Sequence, residues 1–134
     1  MLRRTTLGAL GVLIALTTVL AGSASAGGTY WGSTGAPDRV LRTGCHDYRY
    51  HYLVRPHGHD WAAETFLDDP RGDTLTSGAF DPDADPRRGH GHFRICRAST
   101  RPGVFTIRMK VSIFKGPNPE VHWVKKSYFR LSRP

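Results

Sequence analysis

The sequence is sparing in several things, and each scarcity narrows what the chain can be. Cysteine occurs only twice in 134 residues, too few for a disulfide-dense scaffold or a thiolate metal cluster. No stretch carries the three-and-four spacing of an amphipathic helix, which argues against a helical fold. The longest apolar run, Leu7 to Leu20, falls short of the roughly 20 residues that cross a bilayer, so no transmembrane anchor is expected. Acid is missing from one half: residues 87 to 134 hold twelve Lys or Arg against Glu120 alone, whereas residues 27 to 86 hold five Arg against ten Asp or Glu. Catalytic signatures are missing too. There is no G-x-S-x-G and no H-E-x-x-H, and the pairs His46-Asp47 and His59-Asp60 are sequence neighbours that would face opposite sides of a strand. No catalytic residue is assigned, and an enzyme is not expected.

What is present begins with a leader. Arg3 and Arg4, the apolar run and the triplet Ala24-Ser25-Ala26 form a signal peptide over residues 1–26, which places the mature protein outside the cell as a secreted molecule. Removing it leaves 108 of the 134 residues, enough for one domain, with a net charge of +6. Residues 27–37, rich in Gly, Ser and Thr, read as a flexible arm, and residues 38–134 as a single domain. Cys45 and Cys96, an even pair in an oxidising compartment, are expected to form a structural disulfide. Closing a loop of about 50 residues would contribute on the order of 4 kcal/mol.

Within the domain the dominant period is two. Phe105, Ile107, Met109, Val111 and Ile113 alternate with polar residues, so Val104 to Phe114 is a strand buried on one side, entered through the turn residues Pro102-Gly103. Cys45 to Val54 is another, with Tyr48, Tyr50 and Tyr52 on one face. Strict alternation puts Cys45 on the opposite face, so a bulge near Asp47 is expected to bring it inward. Trp61 to Leu67, Leu75 to Phe80, Phe93 to Arg97 and Val121 to Leu131 complete the strands, with a short one at Arg39 to Thr43. Asp69-Pro70-Arg71-Gly72 has the residues of a type I turn, and Asp81 to Gly91 reads as a long polar loop. About seven such strands predict an all-β fold, an antiparallel two-sheet β-sandwich.

The order Cys45, Trp61, Cys96, followed by a turn and a long alternating strand, resembles that of immunoglobulin-like sandwiches, although Arg94 stands where those domains commonly carry a tyrosine. The Asp69-Pro70-x-Gly72 turn and the run Pro102-Gly103-x-Phe105-Thr106 likewise resemble small extracellular sandwich modules of bacteria. The resemblance implies no catalysis, and a likeness of fold does not by itself transfer a function.

Four groups are candidates for function. The basic second half suggests a face of Arg94, Arg108, Lys110, Lys125, Lys126 and Arg130 that binds an anionic extracellular polymer, nucleic acid not being the expected physiological partner. His57-Gly58-His59 and His90-Gly91-His92, both expected in loops, could converge four imidazoles on Zn²⁺ or Cu²⁺, the one cofactor the sequence suggests. A loop such as His90-Gly91-His92 could alternatively be presented to a secreted enzyme by an inhibitor. Asp81-x-Asp83-x-Asp85 starts like a calcium loop but meets Pro86 where the glycine belongs, and Arg71-Gly72-Asp73 is accounted for by turn chemistry.

Overall fold

A computed structural model describes residues 30–134; the expected signal peptide and the start of the expected arm lie outside them. Nine strands are present among the described residues: β1 (Gly32–Gly35), β2 (Arg39–Val40), β3 (Cys45–Val54), β4 (Trp61–Asp68), β5 (Thr74–Phe80), β6 (Arg88–Cys96), β7 (Gly103–Ile113), β8 (Glu120–Trp123) and β9 (Ser127–Ser132). They form a smaller sheet, β1-β3-β6, and a larger one, β2-β9-β7-β4-β5 with β8 also on β7. The all-β, two-sheet expectation holds. One pairing is parallel, since β2 runs alongside β9 in that sense.

β7 is the axis. Its inward residues Phe105, Ile107, Met109 and Val111 are fully buried, and β4 pairs with one edge along its length. The other edge is divided between β9, which pairs with Gly103 to Ile107, and β8, which pairs with Lys110 to Ile113. The single last strand expected over Val121 to Leu131 is therefore two. Between them Val124 turns its side chain into the core while its amide bonds the Met109 carbonyl at 2.9 Å. This break reverses the phase of alternation, so Trp123 faces outward although it is in register with buried Phe129 and Leu131 in the sequence.

The smaller sheet closes the sandwich with tyrosines. Tyr48, Tyr50 and Tyr52 point inward and each anchors its hydroxyl: Tyr48 donates to the Val40 carbonyl, Tyr52 to the Pro86 carbonyl, and Tyr50 shares a 2.8 Å bond with Thr65 across the core. Burial raises the Tyr50 pKa above its ordinary value. Tyr50 lies opposite Gly91 and Tyr52 opposite Gly89 in the β3–β6 register, and the rings occupy the space side chains there would fill. A Cβ on Gly91 would come within 2.5 Å of the Tyr50 ring. These glycines explain why β6 starts at Arg88 rather than at Phe93: a stretch that reads as loop is a strand whose inward positions are covered by a neighbour's aromatic rings.

The expected bulge in β3 is absent. The register runs without interruption from Cys45 opposite Cys96 to Leu53 opposite Arg88, and the disulfide joins directly opposed residues at one end of the sheet's outer face. The flexible-arm reading also fails in part, because Gly32–Gly35 pairs with β3 and buries Gly32 and Thr34. At Gly32 the φ is +149° and a Cβ would meet the Leu53 carbonyl oxygen, so glycine is what lets β1 approach this closely.

The turn after β4 is as expected, and Asp69 organises it. Its buried carboxylate accepts hydrogen bonds from the amides of Arg71 (2.8 Å) and Asp73 (3.1 Å) and from the Thr100 hydroxyl (3.0 Å). Burial works to raise its pKa, but these bonds and the Arg71 guanidinium outweigh it and hold the pKa below the ordinary carboxylate value. Arg71-Gly72-Asp73 is thus part of a structural turn.

Two outcomes are expected. Gly91→Ala should lower stability by about 1–3 kcal/mol in urea unfolding, whereas Gly116→Ala, which meets nothing within 4 Å, should stay within about 0.5 kcal/mol of wild type. Asp69→Ala should cost about 2–3 kcal/mol at pH 7 by leaving buried donors without an acceptor. A folded pKa below the unfolded value of about 3.9 stabilises above that value and fades as pH falls through the folded one, so the gap between wild type and variant should narrow in unfolding curves taken at progressively lower pH below about 4.

Candidate functional site

The six basic residues expected on one face divide between two. Arg94 lies on β6, in the smaller sheet, while Arg108, Lys110 and Arg130 lie on β7 and β9 of the larger sheet and Lys125 and Lys126 in the β8–β9 connection. The reason is the register that places Cys96, and with it all of β6, beside β3 rather than beside β7.

Outward residues of the larger sheet form rows across its strands. Trp123, Lys110 and Glu64 make one row, Arg108 and Phe66 the next, and Tyr128 with Thr106 a third. Arg108 is fixed in the middle. Its Nε and Nη2 donate to the two oxygens of Asp68 at 2.6 and 2.9 Å, and Nη2 also donates to Thr74 Oγ1. The guanidinium carbon sits 5.1 Å from the Phe66 ring centroid and 5.6 Å from that of Trp123. The Arg108 hydrogen bonds, partly opposed by burial, lower the Asp68 pKa, and the same contact raises that of Arg108. Lys110 is paired with Glu64. Two of the expected polymer-binding cations are therefore engaged inside the face, whereas Lys125, Lys126 and Arg130 make no ion pair among the described residues.

What the sequence reading missed is the aromatic part. Trp123 is 54% exposed and Tyr128 63% exposed, unusual for side chains of this size on a folded surface. They flank the Arg108 row from β8 and β9. Where the two strands separate, a hollow of about 260 Å³ opens, lined by Arg108, Trp123, Val124 and Lys126. The signal in the sequence was the run Val124-Lys125-Lys126, two adjacent lysines interrupting an alternating pattern. Such a hollow presents the face of an indole, a rigid guanidinium and an unpaired ammonium to whatever enters it. A ring can stack on the first, and an anionic group can reach the last.

The histidine expectation is corrected. Among the described residues no three His, Cys, Asp or Glu side chains come together where they could hold a metal ion, so His57, His59, His90 and His92 do not converge. His57 packs edge-on against Trp31, whose ring is also stacked on that of His122 with centroids 3.7 Å apart. His90 and His92 belong to β6, not to the loop in which they are expected. Asp81 accepts bonds from the amides of Asp83 and Ala84, and Asp85 from the amide of Asp81, so these carboxylates cap their own turn.

Arg108→Ala should return the Asp68 carboxyl toward its ordinary titration range, visible as an upward shift in its pH titration by carboxyl NMR; an unmoved titration would mean that the pair does not govern Asp68. No protein-family model matches the chain, and no curated protein matches it in sequence.

Proposed function

We propose that this chain is a secreted, non-catalytic protein of immunoglobulin-like sandwich type that binds an anionic extracellular polymer through the outer face of its larger sheet. The observation that carries the reading is the pair of exposed aromatics, Trp123 and Tyr128, set around Arg108 and beside unpaired Lys126. An acidic glycan matches that chemistry, with sugar rings stacking on the aromatic faces and acid groups reaching Lys126, Lys125 and Arg130. The site lies open along a sheet, which suits a long polymer better than a reaction that must exclude water. Export is supported by the Cys45–Cys96 bond, since disulfides persist in oxidising compartments, and among the described residues no helix is long and apolar enough to cross a membrane. Two sheets around one core, with Trp61 buried between them, support the immunoglobulin-like part; the disulfide departs from that pattern by joining neighbours within one sheet.

Retention on immobilised heparin at physiological salt provides the test. Trp123→Ala and Tyr128→Ala should each weaken binding by about 1–2 kcal/mol, roughly 5- to 30-fold. Retention that collapses below physiological salt, or that both variants leave unchanged, would reduce the attraction to undirected charge.

A further inference from the structure

The opposite side of the molecule carries a different arrangement. Outward positions of the smaller sheet are occupied, in cross-strand pairs, by Asp47 and Arg94, Arg49 and His92, His51 and His90, and Leu53 and Arg88. Along β6 alone, Arg88, His90, His92 and Arg94 are all exposed and repeat at every second residue, about 6.7 Å apart. The row is held in register from one end by Cys45–Cys96, whose residues are the next pair in the same series. From the inside it is held by Tyr50 and Tyr52, whose rings fill the space beneath Gly91 and Gly89. The histidines are therefore displayed on a rigid surface.

Two shallow hollows flank the His51–His90 pair. One of about 180 Å³ includes Arg39, Arg49, His51 and His90 in its lining; the other, of about 320 Å³, includes Ser33, His51, Arg88 and His90. Neither lining contains a carboxylate: apart from the phenols of Tyr50 and Tyr52, its ionisable groups are arginines and imidazoles. The one carboxylate on the face, Asp47, lies at its end and meets Arg94 at 3.5 Å. β1 adds only Ser33 and Gly35, the His51 ring lying over Gly35.

We propose that this face is a second binding site, distinct from that on the larger sheet, which takes a linear phosphate polymer and tightens when His51, His90 and His92 gain protons. The arginines carry fixed charge, and each imidazole that takes up a proton adds a further charge to the same continuous row. The row's spacing allows several phosphates of one chain to be met at once, which a single phosphate ion does not exploit. Protonation and binding reinforce each other. The His90 pKa lies below the ordinary histidine value, through desolvation and then through the positive charges of Arg49, His51 and His92. A bound polyanion offsets those charges, so binding must take up protons and must strengthen as pH falls.

The experiment measures affinity of the mature protein for inorganic polyphosphate at pH 7.5 and 5.5, at one ionic strength, with orthophosphate at equal phosphate concentration as a second arm. Wild type should gain roughly tenfold on acidification, from three added charge contacts. His51→Gln/His90→Gln/His92→Gln should lose that gain while binding as wild type at pH 7.5. His46→Gln/His57→Gln/His59→Gln, which alters the same number of imidazoles off the face, should keep it. Calorimetry in buffers of different ionisation enthalpy should show proton uptake in wild type and little in the first variant. Equal gains in the two triple variants, or the absence of any gain in wild type, would overturn the proposal; orthophosphate binding as tightly as polyphosphate would overturn its multivalent form. Trp123→Ala should preserve the pH gain, so failure of the aromatic face and failure of this one are read separately.

Discussion

Everything in this fold hangs on one strand having a single apolar side. β7 alternates over its whole length, and its five inward residues from Phe105 to Ile113 are almost without exposure. Burying such a row requires a strand on either hand and a second layer above. β4 supplies one neighbour, β8 and β9 share the other edge, and the tyrosines of β3 with Phe93 and Ile95 of β6 supply much of the cover. Because two strands share that edge, a short length of β7 has no strand beside it. The hollow next to Arg108 is the outcome of that division, so the most prominent binding feature of the larger sheet arises from how its organising strand is shared.

The second constraint is register. A cross-link between directly opposed residues allows no slip, and a slip of one position would turn a β-strand's outer side chains inward. Arg49, His51, His90 and His92 keep to one face for the same reason that Tyr50 and Tyr52 keep to the other. Charge on the two sides of the sandwich is consequently handled differently. Arg108 and Lys110 are matched with Asp68 and Glu64 inside the larger sheet's face, while the smaller sheet leaves its cations almost without counter-charge. The acidic residues of the first half reach β7 because β4 is its neighbour; β6 has only Asp47 beside it.

Much of the architecture was legible where period and burial agree. β3, β4 and β7 were recognisable from alternation, and the Asp69 turn from its residues. β6 was cut short because Gly89 and Gly91 look like loop residues until the tyrosines that cover them are in place. The smaller sheet's partner for Gly32–Gly35 was hidden for a similar reason, since a strand of Gly, Ser and Thr has almost no periodic signal. The disulfide was legible as a pair but not as to place: an inward bridge required a bulge, whereas an outward one required nothing. Of the candidate site, the cations were visible in composition and their pairing was not, because pairing depends on which strands are neighbours. The sequence puts Trp123 in phase with Phe129 and Leu131, and the break of that phase between Val124 and Ser127 shows only once β8 and β9 are known to be separate strands.

The tyrosine-over-glycine packing divides the smaller sheet into two texts written on alternate letters. The inward letters are bound to one another by shape, so that a side chain at Gly91 presses on the Tyr50 ring unless Tyr50 changes with it. The outward letters, from Arg88 to Arg94, touch solvent and can be replaced one at a time without disturbing the layer beneath. A surface built this way can acquire, lose or exchange a ligand by single substitutions while its foundation stays fixed, and the part of the chain with the least bulk at its inward positions is thereby the part most open to functional change.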